Sequence, residues 1–424
     1  MKNKSVILSM AQSLRRWRRV IAIAFLASIT ACGGGGSDAS GQAPAPQRGD
    51  LLSDTLSASY QVSVVSLVIT TLAANGVDTS GLSGTYGVTL RRITYRTITP
   101  DGRLIAASGV VAWPLKLAGK PSPLLSFQHG TIFRNADAPS VSASADLATL
   151  AVAGTGYIVM VPDYIGYGAS ANEMHTYVHA QGLAASIVDM ARATRHLLAK
   201  HNIAANGQLF LTGYSEGGYA TLAAQKEMEQ NLSTEFPVTA SMPGAGPYNM
   251  SATAQYIVGL TTNSTPEITG FVFKSYDYWY QWNRISAVFQ SPYDVVINTY
   301  YDGTHSSSTI NSALTPTTAN LFTAAFLADF LGAGEVTTKA GFAANDIHNW
   351  APQTPTRLFH GVDDTIVPYF NATTARDAMI TAGASNVALI DCSTPVLVPR
   401  GHAECVADYL GKFSKWFNSL ATDL

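Results

Sequence analysis

One serine in this 424-residue chain sits in a setting that could make it a nucleophile. Gly213-Tyr214-Ser215-Glu216-Gly217 has the spacing GxSxG. A sharp strand-to-helix turn would expose the serine hydroxyl, and the two glycines relieve crowding at that turn. At this glycine content, chance gives on the order of 0.2 such matches per chain, so context must decide. Context supports it: Leu209-Phe210-Leu211 reads as a strand before the turn, and Glu216 to Glu229 as an alanine-rich helix after it. A serine nucleophile needs a base, and the base needs an orienting carboxylate. Where the serine sits on such a turn, acid and histidine follow it in chain order. His402, in Arg400-Gly401-His402, is the histidine that lies beyond an acid candidate and near the C-terminus.

The acid lies in Phe359-His360-Gly361-Val362-Asp363-Asp364-Thr365-Ile366-Val367-Pro368. Two adjacent aspartates compete at this turn. The recurrent pattern His-Gly-x-x-Asp-x-x-Val-Pro favours Asp364 as the orienting acid. Asp363 would otherwise shape the turn by accepting backbone N–H groups.

These residues need a scaffold that brings three distant loops to one edge. Val88 to Ile98 and Leu104 to Trp113 flank Pro100-Asp101-Gly102 and read as a β-hairpin. After it, strand and helix patterns alternate. Leu124 to Gln128, Tyr157 to Val161, Gln208 to Thr212, Val238 to Met242, Arg357 to Phe359 and Ala388 to Ile390 are strand-like. Leu183, Ile187, Met190, Ala191, Leu197 and Leu198 recur at helical spacing. Such alternation implies an α/β fold with a mostly parallel sheet and helices on both faces. Residues 243–349 break the rhythm. Residues 271–301 hold eleven of the chain's 41 aromatic side chains, among them Tyr276, Tyr278, Trp279, Tyr280 and Trp282. An insertion of this size reads as an ordered subdomain, its aromatics forming a core, with some lining an apolar pocket.

The serine, acid and histidine motifs resemble the α/β-hydrolase superfamily over roughly residues 90–420. Ser126-Phe127-Gln128-His129-Gly130-Thr131 and Val161-Pro162-Asp163-Tyr164-Ile165-Gly166-Tyr167-Gly168 narrow the likeness. With Gly-Tyr-Ser-Glu-Gly-Gly they resemble the secretory-lipase-type group, which includes the fungal lipase A family. That resemblance implies a mainly helical cap or lid in the slot that residues 243–349 occupy. The catalytic body is then 51–242 and 350–424. The backbone N–H of Glu216, next after the serine, is the expected first donor of an oxyanion hole. For the second donor the resemblance suggests Asp163, and the general fold suggests Gly130 and Thr131. Glu216 departs from the small residue that often follows the serine.

The composition bounds the remaining possibilities. Twenty-six basic and 28 acidic side chains give a charge of −2, and no basic cluster lies outside the N-terminus, which argues against nucleic acid as a partner. Residues 1–31 hold Lys2, Lys4, Arg15, Arg16, Arg18 and Arg19 and no acid. The apolar run Val20 to Ile29 that follows is too short for a membrane helix of ~20 residues and has the layout of a signal peptide. Ile29-Thr30-Ala31-Cys32 resembles a bacterial lipobox, which implies lipidation of Cys32 and attachment to a membrane. Gly33 in the next position favours the outer membrane under lipoprotein sorting rules. Removing the six leader cations leaves 20 basic against 28 acidic side chains, a charge of −8. Residues 32–50 read as a flexible Gly/Pro tether.

Cys392 and Cys405 remain, bracket His402, and in an exported protein are expected to form a disulfide. His175 and His179 have the i, i+4 spacing of a helical zinc pair, but lack the intervening glutamate and a third ligand. No metal and no cofactor is therefore expected, and His129 and His360 read as turn residues beside the site. Nothing in the sequence specifies an oligomer. The resulting expectation is a lipid-anchored serine ester hydrolase, of carboxylesterase or triacylglycerol-lipase type, acting on apolar acyl or aryl esters. Two rival readings use the same residues. One is a peptidase or amidase on the same fold, with Glu216 or Glu173 anchoring a substrate amine. The other is a non-catalytic envelope lipoprotein.

Overall fold

A computed structural model describes residues 45–142, 146–392 and 400–424. The leader, Cys32 and most of the tether lie outside the described residues. Nine strands form one sheet in the order β1-β2-β3-β5-β4-β6-β7-β8-β9. They are β1 (Leu51–Tyr60), β2 (Val88–Ile98), β3 (Leu104–Pro114), β4 (Ser122–Gln128), β5 (Ile158–Pro162), β6 (Ala205–Tyr214), β7 (Ala240–Gly244), β8 (Thr356–His360) and β9 (Val387–Asp391). The pairings β1/β2, β2/β3 and β3/β5 are antiparallel, and all later ones are parallel. This is the mostly parallel α/β-hydrolase sheet expected. The β2–β3 hairpin closes on Gly102, whose φ of 86° suits glycine and whose N–H donates to the Thr99 carbonyl at 2.9 Å.

Strand alternation sorts side chains into two cores. Leu124, Ile158, Met160, Leu209 and Leu211 face one side. There they meet α3 (Ala180–Lys200) and α4 (Glu216–Asn231). Leu125, Val159, Val161 and Phe210 face the other side. They meet α1 (Val62–Ala74), α2 (Asp146–Thr155) and α14 (His402–Asn418). Helix α13 (Phe370–Thr381) covers the first side beyond β8.

Two boundaries differ from the sequence reading. β1 was not anticipated: LLSDTLSASY is rich in small polar residues and sits half-exposed at the sheet edge, so its apolar alternation is weak. The tether also ends earlier than residue 50. Gly49 donates to the Arg96 carbonyl at 2.8 Å, and Arg48 pairs with the buried Asp189 carboxylate at 3.1 Å. Charge in Arg48 and its partner fastens residues 47–50 to the body, where composition alone suggested a linker.

Between β7 and β8 the chain runs through eight helices, α5 (Met250–Gly259), α6 (Pro266–Trp279), α7 (Ile285–Val288), α8 (Tyr293–Thr299), α9 (Ser307–Ala313), α10 (Thr318–Leu321), α11 (Ala324–Leu331) and α12 (Val336–Ala343). Phe273 lies 5.4–5.8 Å from the rings of Phe289, Phe322, Phe326 and Phe342. These aromatics form the insertion's own core, which Tyr276 joins through Phe342 at 5.3 Å, and Trp279 is buried outside it. Tyr278 instead faces solvent.

Cys392, just after β9, is bonded to Cys405 in the first turn of α14, with Cα atoms 5.8 Å apart. The bridge ties the end of β9 to the first turn of α14, which begins at His402. Replacing both cysteines by alanine is expected to lower the unfolding free energy by about 3 kcal/mol, as loop-closure entropy for this span implies. Urea unfolding of the oxidised parent and the double variant checks this.

Candidate active site

β6 is buried from Leu209 to Tyr214 and delivers Ser215 to the carboxyl edge of the sheet. Ser215 has φ 63° and ψ −122°, a conformation that costs about 1–3 kcal/mol in a non-glycine residue. The surroundings enforce it. Ser215 N–H donates to the Gly244 carbonyl at the end of β7, at 2.8 Å. A Cβ on Gly217 would stand 2.1 Å from the Gln128 carbonyl oxygen, so only glycine lets α4 start this close to β4.

The three candidate side chains meet above this edge. Ser215 Oγ lies 2.8 Å from His402 Nε2. His402 Nδ1 lies 2.6 Å from Asp364 Oδ2. Asp364 Oδ1 accepts the N–H groups of Ile366 and Val367, both at 2.9 Å. Asp364 is buried and Asp363 is exposed, so the turn assigns the two aspartates differently. Burial pushes the Asp364 carboxyl up, but hydrogen bonds and charge from His360 and His402 more than offset it and hold it well below the usual carboxylate range.

Two further contacts brace this chain of bonds. His360 Nε2 lies 3.2 Å from Asp364 Oδ2, so the carboxylate faces two imidazoles. The Tyr214 hydroxyl donates to the His402 carbonyl at 2.8 Å. The residue before the serine thus grips the backbone of the histidine. The His-Gly-x-x-Asp pattern carried a hint of the first; no local signal carried the second.

The Glu216 N–H lies at the N-terminus of α4, directly after the serine. Gly130 approaches from the β4 loop, and a Cβ there would stand 3.8 Å from Ser215 Cβ. The Gly130 and Thr131 amides meet no acceptor among the described residues. Asp163 is different, and the preference for it is corrected. Its N–H is already spent on the Ser108 carbonyl at 3.0 Å. Its buried carboxylate accepts from the Ser108 hydroxyl at 2.5 Å and the Ser140 N–H at 2.7 Å. Burial raises this carboxyl against the lowering effect of those donors. Asp163 is a loop brace, whereas Gly130, beside the serine, and Thr131 after it keep amides without an acceptor among the described residues.

An apolar pocket opens from Ser215 into the insertion. Its atom-free space is about 690 Å³, counting the open mouth. Ile257, Val258, Val272 and Phe273 line it from the insertion, and Ile366 and Val367 from the acid turn. The model of the secretory lipase family matches residues 134–408, the stretch that carries the serine, the acid and the histidine. The chain belongs to the secretory lipase family.

Among solved structures, this secretory lipase is similar to the rice cell wall degrading esterase LipA from Xanthomonas oryzae in a ligand-bound form. The two are 28% identical with a TM-score of 0.78, over 88% of this chain and 99% of that one. A Legionella pneumophila protein is 25% identical, with a TM-score of 0.79 over 87% of this chain and 98% of that one. Candida antarctica lipase A in its closed state shares the fold at 17% identity and a TM-score of 0.61, over 84% of this chain and 78% of that one. No curated protein matches the chain. The family and the esterase neighbour support ester hydrolysis.

In this secretory lipase the His175 and His179 side chains part company. His175 faces Glu216 at 2.6 Å, whereas His179 caps α3 by accepting the Gly182 N–H at 3.4 Å. Burial pulls His179 down to about 4, so it stays neutral in the fold. His129 packs on the Tyr164 ring with centroids 4.2 Å apart, a brace beside the site.

Proposed function

We propose that the protein is a serine carboxylic-ester hydrolase working through an acyl-enzyme. The observation that carries this is the continuous chain Ser215–His402–Asp364, with links of 2.8 and 2.6 Å, at the mouth of an apolar pocket. Ser215 Oγ attacks the acyl carbonyl as His402 Nε2 takes its proton. Asp364 keeps Nδ1 protonated and stabilises the imidazolium. The oxyanion that forms is met by the Glu216 N–H and by Gly130 and Thr131. His402 returns the proton to the departing alcohol. Water then attacks the acyl-enzyme with His402 again as base, releasing acid and free Ser215.

The pocket's apolar walls favour hydrophobic acyl or aryl groups. The peptidase reading loses its anchors: Glu173 is paired with Arg103 at 2.7 Å and Glu216 with His175. A series of p-nitrophenyl acyl esters against aminoacyl p-nitroanilides tests the choice. Ester turnover rising with acyl length to an optimum is expected, and faster cleavage of the anilides would overturn the ester reading. A fluorophosphonate that fails to label folded protein would instead favour the non-catalytic lipoprotein.

The location is part of the same proposal. The basic leader, short apolar run and Cys32 support lipidation and residence in the bacterial envelope, facing its ester or lipid substrate from the outer membrane. No described helix is long and apolar enough to cross a membrane. Cys32→Ala is expected to move the protein from the membrane pellet to the soluble fraction after cell breakage.

A further inference from the structure

His175 and Glu216 stand outside the serine's proton chain yet touch it from behind. Glu216 follows Ser215 directly, and its side chain is fully buried. His175 Nδ1 lies 2.7 Å from the Ile165 carbonyl oxygen. A carbonyl only accepts, so Nδ1 carries a hydrogen. His175 Nε2 lies 2.6 Å from Glu216 Oε1. Two acceptors do not approach this closely, so one proton lies between them. Bound to nitrogen it gives an imidazolium and a carboxylate; bound to oxygen it gives two neutral groups. Either way the pair holds one shared proton and no net charge. Glu216 Oε2 has no hydrogen-bond partner among the described residues, so the neutralisation rests on His175.

The surroundings hold His175 in place. The rings of Tyr167 and Phe271 lie 4.6 and 5.5 Å from its own. Ser275 of α6 donates to its carbonyl at 2.8 Å, which ties it to the insertion. Gly166 has φ 100°, and a Cβ there would stand 2.3 Å from His175 Cα. The Gly166 loop is therefore packed directly against the His175 backbone. A lone carboxylate at Glu216 would sit, in a dry setting, behind the amide that meets the developing oxyanion. Like charges in such a setting repel far more strongly than in water.

We infer that His175 is a positioning residue whose shared proton neutralises Glu216, keeping the wall of the oxyanion site free of charge and the Glu216 amide aimed at the reacting carbonyl. This rests on Ser215 being the nucleophile and the Glu216 N–H an oxyanion donor. The test is kinetic. His175→Gln leaves the Glu216 charge unmatched, and kcat for a p-nitrophenyl ester is expected to fall on the order of 10²-fold, with KM changed less than about 3-fold. Adding Glu216→Gln removes the charge, and kcat is expected to rise again by at least about 10-fold over His175→Gln alone. A role in packing alone predicts that the second substitution recovers nothing. Melting curves accompany the kinetics. If His175→Gln does not fold, a double variant that folds supports the same charge compensation.

The proposal fails if His175→Gln keeps the parent kcat, if the double variant gains nothing, or if neither variant folds. The hydrolase reading fails separately, when the parent and Ser215→Ala turn over esters equally.

Discussion

Ser215→Ala is expected to lower ester turnover by about 10⁴- to 10⁶-fold while leaving the melting temperature close to the parent's. The loss is large because, on the proposed mechanism, the hydroxyl is the atom that forms the covalent intermediate. What survives comes from the oxyanion donors and the pocket, acting on attack by water. The protein should tolerate the change, since alanine keeps the Cβ and the Ser215 N–H still bonds to Gly244. Alanine also inherits the strained φ of 63°, so no large gain or loss in stability is expected. Adding His402→Ala to Ser215→Ala should cost almost nothing more, because a base without a nucleophile has no proton to take. Single-turnover measurements on a p-nitrophenyl ester, with fluorophosphonate labelling as a control, check both statements. Parent-like turnover in Ser215→Ala would sink the mechanism.

Asp364→Asn is expected to lower kcat by about 10⁴-fold, and Asp363→Asn to leave it near the parent value. The two side chains are neighbours in sequence with opposite surroundings: one is buried against His402, the other points to water. An amide at position 364 can donate to His402 Nδ1 and so favour the tautomer with its proton on Nε2. That proton is where the serine must deliver its own. The stability profile gives an independent reading. The folded Asp364 carboxyl lies below its ordinary value of 3.8. It therefore adds stability above that pH, and the gain is lost as pH falls toward the folded value. Asp364→Asn should flatten the acid limb of the stability curve below about pH 4. An unchanged acid limb would argue that the hydrogen bonds to His402 and His360 contribute little in solution.

Much of this site was legible in the sequence because its motifs are local. Gly213 to Gly217 encode a turn, and the turn constrains which residue is exposed. Asp364 could be preferred to Asp363 because a fixed number of residues separates it from His360 and Pro368. Period-2 alternation in β2, with the Pro100-Asp101-Gly102 turn after it, revealed the hairpin, and helical spacing revealed α3. What escaped is non-local. Asp163 occupies a motif that looks like an oxyanion loop, yet Ser108 and Ser140, far away in sequence, claim its donors and acceptors. The pairing of His175 with Glu216 spans 41 residues, and no spacing rule connects them. β1 escaped for another reason: an edge strand with one wet face does not need the apolar pattern that reveals a central one.

The insertion carries its own aromatic core around Phe273, while the reacting residues stand on loops of the sheet. On the proposed function, most of the apolar pocket wall is thus written in a different stretch of the chain from the serine, acid and histidine, with Ile366 and Val367 shared between the two. Substitutions at Ile257 and Val258 of α5 can reshape the pocket while the serine, acid and histidine stay on their own loops. A lineage built this way can exchange one acid for another as its preferred product and leave the hydrolytic step untouched. Its members should diverge fastest between β7 and β8, and their substrate ranges should track that stretch more closely than the rest of the sequence.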